Sequence, residues 1–185
     1  MEATKKSKKK IQEKISDNIS YKEATYSQTA AKHKIKNVPT ETHLKNMRVT
    51  AEKVFQPLRE WCEHPIRINS FYRSPELCEK IGSTVKSQHT KGQAIDMTTK
   101  GEKSNRELFE WLKDNCDFDQ MIWEFGNDDN PDWVHVSYVS PEANRNRCLK
   151  AYRKNGKTKY METEKIDLSS LIYITLMITI FLIAL

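Results

Sequence analysis

Apolar residues recur at helical spacing between positions 40 and 63, where Leu44, Met47, Ala51, Val54, Phe55, Leu58 and Trp61 form one face. Thr40 stands where it can cap this helix, and Pro57 predicts a kink within it. The period then changes. Ile66-Arg67-Ile68-Asn69-Ser70 alternates as a short strand, and Ser74, Pro75 and Gly82 supply the cap, first-turn proline and stop of a compact helix. Residues 94–97 are a second strand. Ser104-Asn105-Arg106-Glu107 is a capping box ahead of Leu108, Trp111, Leu112 and Cys116, which predicts a third helix. Residues 118–125 and 133–138 are two further strands, and the turn-rich segment 126–132 lets them pair as an antiparallel hairpin. Helices interleaved with strands in this order predict an α+β domain, with helices packed on a mostly antiparallel sheet.

Composition divides the chain further. A length of 185 residues fits one domain with appendages, and the apolar positions concentrate between Val38 and Tyr138. The net charge of +6 is uneven: residues 1–14 hold six Lys against two Glu, and residues 141–165 hold eight Lys/Arg against three Glu. The expected organisation is a basic disordered tail over 1–20, a domain over 21–140, a basic linker over 141–165 and a hydrophobic helix over 168–185. Basic ends suit an anionic surface such as a membrane, a cell-wall polymer or a nucleic acid. They lack interleaved aromatics, which argues against nucleic acid. No apolar run follows the N-terminal lysines, so no secretory signal is expected.

The segment 168–185, LSSLIYITLMITIFLIAL, has no charge. As a helix it would cover most of a roughly 30 Å hydrocarbon core, so it is expected to anchor the protein in a membrane. The basic residues before it place the domain on the cytoplasmic side by the positive-inside rule. Cys62, Cys78, Cys116 and Cys148 are dispersed without a Cys-x-x-Cys pair, which favours free thiols over disulfides and disfavours a thiolate metal site.

The candidate chemistry lies in His89 and Asp96, which straddle Gly92, and in His135 of Trp133-Val134-His135-Val136-Ser137-Tyr138. In a strand, His135 shares a face with Trp133 and Ser137 while Val134 and Val136 point the other way, and Asp96 likewise opposes Ile95 and Met97. Each polar side chain can therefore enter a cleft while its neighbours fill a core. Two imidazoles and a carboxylate suit zinc and leave its fourth position open, as in a catalytic site. On spacing alone, ordinary turn and strand residues explain the same letters.

The surroundings add to this. Ser87-Gln88-His89-Thr90-Lys91-Gly92-Gln93-Ala94-Ile95-Asp96 followed by Trp133-Val134-His135 resembles the zinc D-Ala-D-Ala metallopeptidases, which share a fold with the Hedgehog signalling domain. Tyr26-Ser27-Gln28-Thr29-Ala30, Asn37-Val38-Pro39, Ile68 to Pro75 and Phe118 to Glu124 extend the likeness over roughly residues 20–160, towards the phage-associated and bacterial branch. The resemblance implies a Hedgehog/DD-peptidase-like fold, a zinc ion on His89, Asp96 and His135, and a monomeric catalytic domain. It also implies hydrolysis of peptide bonds in peptidoglycan stems, by a D-Ala-D-Ala carboxypeptidase or an endolysin-type endopeptidase; a phage-encoded member would sit at the host cell membrane. Glu124 and Asp132 are the two candidates for the base, with Glu124 preferred because a strand holds it. Arg73 is the expected cation for substrate or transition state, with Phe71 standing where the family usually has Gly. Ser87 is a candidate for substrate binding. The alternative is a catalytically inactive, Hedgehog-like metal-binding module.

Overall fold

The computed structural model describes residues 14–163. Its centre is a six-stranded sheet in the order β3-β4-β6-β5-β7-β8. The strands are β3 (Ile66–Ser70), β4 (Ala94–Thr99), β5 (Gln120–Glu124), β6 (Trp133–Ser137), β7 (Arg147–Lys154) and β8 (Lys157–Glu162). All neighbours are antiparallel except β5 and β7, which run parallel. Among the described residues six α-helices accompany it: α1 (Tyr21–Thr25), α2 (Gln28–His33), α3 (Glu41–Thr50), α4 (Gln56–Cys62), α5 (Pro75–Lys80) and α6 (Asn105–Asn115). The α+β class expected from the hydrophobic pattern is the class observed.

One face of the sheet makes the core. Ile95, Met97, Met121, Trp123, Val134, Val136 and Cys148 alternate onto it and meet Leu44, Met47, Val54, Leu58, Leu108 and Leu112 from the helices. Leu108 and Leu112 are fully buried, and each such side chain contributes roughly 1.5–3 kcal/mol by leaving water. Helix α6 starts where the capping box predicts, with Ser104 Oγ accepting from Glu107 N and Glu107 Oε2 accepting from Ser104 N. Between α3 and α4 the chain widens into a π-turn over Ala51–Phe55. The kink expected at Pro57 takes this form because the proline ring crowds the carbonyl four residues back and removes one N–H from the ladder.

Two expected boundaries are corrected. The disordered tail of 1–20 is ordered from residue 14: β1 (Lys14–Ser16) and β2 (Ile19–Ser20) pair because Ile15 and Ile19 reach the core, while residues 1–13 lie outside the described residues. The basic linker of 141–165 is instead the hairpin β7–β8, whose Cys148, Leu149 and Ala151 are buried against β5. The membrane localisation is corrected as well. Among the described residues no helix is long and apolar enough to cross a membrane. The helical run over 41–62 has the length but carries Lys45, Arg48, Glu52, Lys53 and Arg59; the expected anchor at 168–185 lies outside the described residues.

Candidate metal centre

The other face of the sheet carries the polar residues. Register pairs Asp96 on β4 with His135 on β6, and His135 with Ile122 on β5. Directly opposed residues on antiparallel strands share a face with Cβ atoms about 4.5–5.5 Å apart, so Asp96 and His135 meet because of strand pairing alone. His89 arrives from a different element, the 3₁₀ turn Gln88–Lys91 that leads into β4. That turn closes at Gly92, whose φ is +69°; a Cβ there would stand 2.6 Å from the His43 carbonyl oxygen, so both conformation and space call for glycine. Ser87 caps the turn by accepting from His89 N at 3.4 Å.

The three side chains converge tightly. His89 Nε2 lies 3.2 Å from Asp96 Oδ1 and 3.2 Å from His135 Nδ1, and His135 Nδ1 lies 2.8 Å from Asp96 Oδ1. All three residues are buried, and together they form a group that could hold a metal ion. The tautomer of His89 decides the fit. Its Nδ1 is 2.7 Å from the carbonyl oxygen of Phe71, which can only accept, so Nδ1 carries the proton. Burial lowers the His89 pKa and keeps the ring neutral. Nε2 therefore presents a bare lone pair towards an anionic oxygen and a second imidazole nitrogen. A cation at their centre removes that conflict, and the separations approach the edge of about 3.3 Å of a tetrahedron with bonds of about 2.0–2.1 Å. Burial by itself would raise the Asp96 pKa, yet it lies well below the usual carboxylate range, helped by the hydrogen bond from His135 Nδ1 to Oδ1, so the site is anionic and ready for a cation.

Around this trio lies a cleft of about 770 Å³. Glu124 lines it from the end of β5, two residues beyond Ile122 and hence on the same face as His135. It is 9% exposed, and among the described residues its carboxylate has no hydrogen-bond partner. Burial pushes its pKa up to about 7, with Asp96 adding and His135, Arg73 and Arg153 opposing. Arg73 also lines the cleft. Its guanidinium bonds Asp96 Oδ2, and its Nε donates to Ser70 Oγ at 2.7 Å. The structure thus gathers His89, Asp96, His135, Arg73, Ser87 and Glu124 at one cleft. It sets Asp132 apart, exposed at the hairpin end and outside the cleft lining.

A model of the peptidase M15 family matches residues 17–137. The chain belongs to the peptidase M15 family. No curated protein matches it. The resemblance to zinc D-Ala-D-Ala metallopeptidases read from the motif thereby holds at the level of the family, whose peptidases are metal-dependent. This M15 chain also has supporting groups around the site that the motif alone does not reveal. The Phe71 carbonyl orients His89, yet a backbone acceptor leaves no trace in residue type. Phe71 itself is 1% exposed and has no positive φ, so the turn needs no glycine there and the ring fills the core instead. Asp119, buried, receives Gln88 Nε2 at 2.9 Å and Arg145 Nε at 2.7 Å, tying the His89 turn to the segment after β6. Arg147, Leu149 and Tyr160 reach the cleft from the β7–β8 hairpin, whose signal is Asn155-Gly156, both at positive φ as a tight hairpin turn requires.

Proposed function

We propose that this M15 peptidase is zinc-dependent and hydrolyses peptide bonds in bacterial peptidoglycan stems. The observation that carries the reading is Glu124: a nearly buried carboxylate with a pKa raised to about 7, on the same sheet face as a buried His-Asp-His trio. His89 Nε2, Asp96 Oδ1 and His135 Nδ1 would hold the ion. Bound zinc supplies Lewis acidity and brings a water's pKa towards about 7. Glu124 is the base: near neutrality it takes a proton from water and returns it to the leaving amine, because a pKa close to the working pH serves both directions. The exposed Asp132 has no part in this step. Its backbone N–H instead closes the hairpin on the Glu124 carbonyl at 3.0 Å.

Arg73 fixes Asp96 through Oδ2 and presents its remaining N–H groups to the cleft, where a scissile carbonyl or substrate carboxylate is the natural acceptor. Ser87 acts through the turn it caps and keeps His89 aimed. Lys86 and Lys91 also line the cleft, beside Arg145 and Arg147 that are paired with Asp119 and Glu162, and this cationic lining suits the free carboxylates of a stem peptide. Mass spectrometry of muropeptides digested by the zinc-loaded protein tests the reading. Loss of a terminal D-Ala marks a carboxypeptidase, and internal cuts mark an endopeptidase. Intact muropeptides beside stoichiometric zinc would favour the alternative of an inert Hedgehog-like metal-binding module.

A further inference from the structure

The β7–β8 hairpin begins after the last residue matched by the family model, yet it forms a wall of the cleft. Its register is informative. Glu124 on β5 stands opposite Ala151 on β7, and Ala151 stands opposite Tyr160 on β8. Side chains in such a row share one face, with neighbouring strands about 4.8 Å apart. Tyr160 therefore sits two strands from Glu124, with only a methyl group between them, and a tyrosine side chain is long enough to lean across it.

Nothing in the core explains this tyrosine. It lies on the outermost strand and is 54% exposed, but it lines the cleft. Neighbouring polar groups are committed elsewhere. Lys150 pairs with Asp128 and Arg153 sits 4.7 Å over the Phe125 ring, while Arg73, bonded to Asp96 and Ser70, serves the cleft from the far side of the trio. Partial burial of the phenol against the cleft, with the negative charges of Glu124 and Asp96, raises its pKa, so the hydroxyl keeps its proton at neutral pH and is a donor.

We propose that the Tyr160 hydroxyl is a catalytic hydrogen-bond donor that binds the scissile carbonyl oxygen as it gains charge, from the side of the cleft opposite Arg73. The inference rests on the peptidase reading above and takes the terminal D-Ala-D-Ala bond as the one cut. The phenol forms no covalent bond and keeps its proton throughout. It acts only by stabilising the tetrahedral centre more than the planar amide, which is where a donor accelerates a reaction.

Tyr160→Phe removes a single oxygen from an exposed edge strand. The probe is a D-Ala-D-Ala phosphinate, an uncleavable tetrahedral mimic, titrated calorimetrically into the zinc-loaded full chain. The expected result is a loss of phosphinate affinity of roughly 10- to 100-fold, with zinc content and Tm unchanged. With any peptide that the wild type cleaves, kcat falls by a similar factor while KM holds. Phosphinate affinity within twofold of wild type would overturn the proposal, as would a wild type that does not bind the phosphinate. Failure of the peptidoglycan reading has a separate signature: phosphinate binding that depends on Tyr160, beside muropeptides left intact.

Discussion

Glu124 is held in a place that is costly for a charge, and that cost is measurable. In the metal-free protein its pKa is raised from 4.5 to about 7, so the folded state binds the proton more tightly than the unfolded chain does. The sign follows: this contribution is fully present below about pH 4.5 and is lost as pH rises through about 7. Between pH 5 and pH 8 chelated wild type should therefore lose up to about 3 kcal/mol of stability relative to Glu124→Gln. Urea titrations of both proteins at the two pH values check this; equal losses would mean that Glu124 ionises freely. In the metal-loaded enzyme the neighbouring cation pulls the value down, so kcat/KM should rise with pH through an apparent pKa at or below about 7. At this scale the trio was legible because His135 and Asp96 are each flanked by apolar residues that must point the other way. The backbone carbonyl that fixes the His89 tautomer was not, since any residue at position 71 offers the same oxygen.

At the scale of elements, the centre depends on one turn and one strand pair. The pair β4–β6 is robust, with Ile95, Met97, Val134 and Val136 fully buried behind the polar face. The Gln88–Lys91 turn is the weaker part, held by Gly92, the Ser87 cap and the bond from Gln88 to Asp119. Gly92→Ala brings both a strained φ and a clash with the His43 carbonyl, so a cost of roughly 1–3 kcal/mol is expected, together with zinc affinity at least tenfold weaker. Thermal melts and zinc competition against a fluorescent chelator measure the two effects; full stability and affinity would show that the turn tolerates a side chain. Helices and central strands were legible in the hydrophobic period. The β7–β8 hairpin was hidden because its pattern is half-buried at best, with the last three residues of β7 and nearly all of β8 solvent-exposed. Its partner β5 also lies more than 20 residues away in the chain, a parallel pairing that local periodicity does not report.

Across the whole molecule, the sheet separates two tasks. One face is an apolar core that fixes strand register, and the other presents charge in a cleft that the same register aligns. Because the trio is preformed around opposed lone pairs and an anion, a metal ion should stabilise the native state over the unfolded chain, which lacks the site. At zinc near 100 times Kd the gain is about 2.7 kcal/mol, or a Tm higher by roughly 5–10 °C for a chain of this size. Asp96→Asn should abolish most of that rise in scanning calorimetry, and a rise that survives the substitution would place the metal elsewhere.

Everything proposed for the cleft depends on Glu124 serving as the base of a zinc peptidase built on His89, Asp96 and His135. Turnover of purified muropeptides by wild type and Glu124→Gln, with bound zinc quantified in the same samples, tests it most directly. One zinc per chain is expected in both proteins, with a turnover roughly 10²- to 10⁴-fold lower in the variant. Equal turnover in the two proteins, or an inert wild type with zinc fully bound, would contradict it.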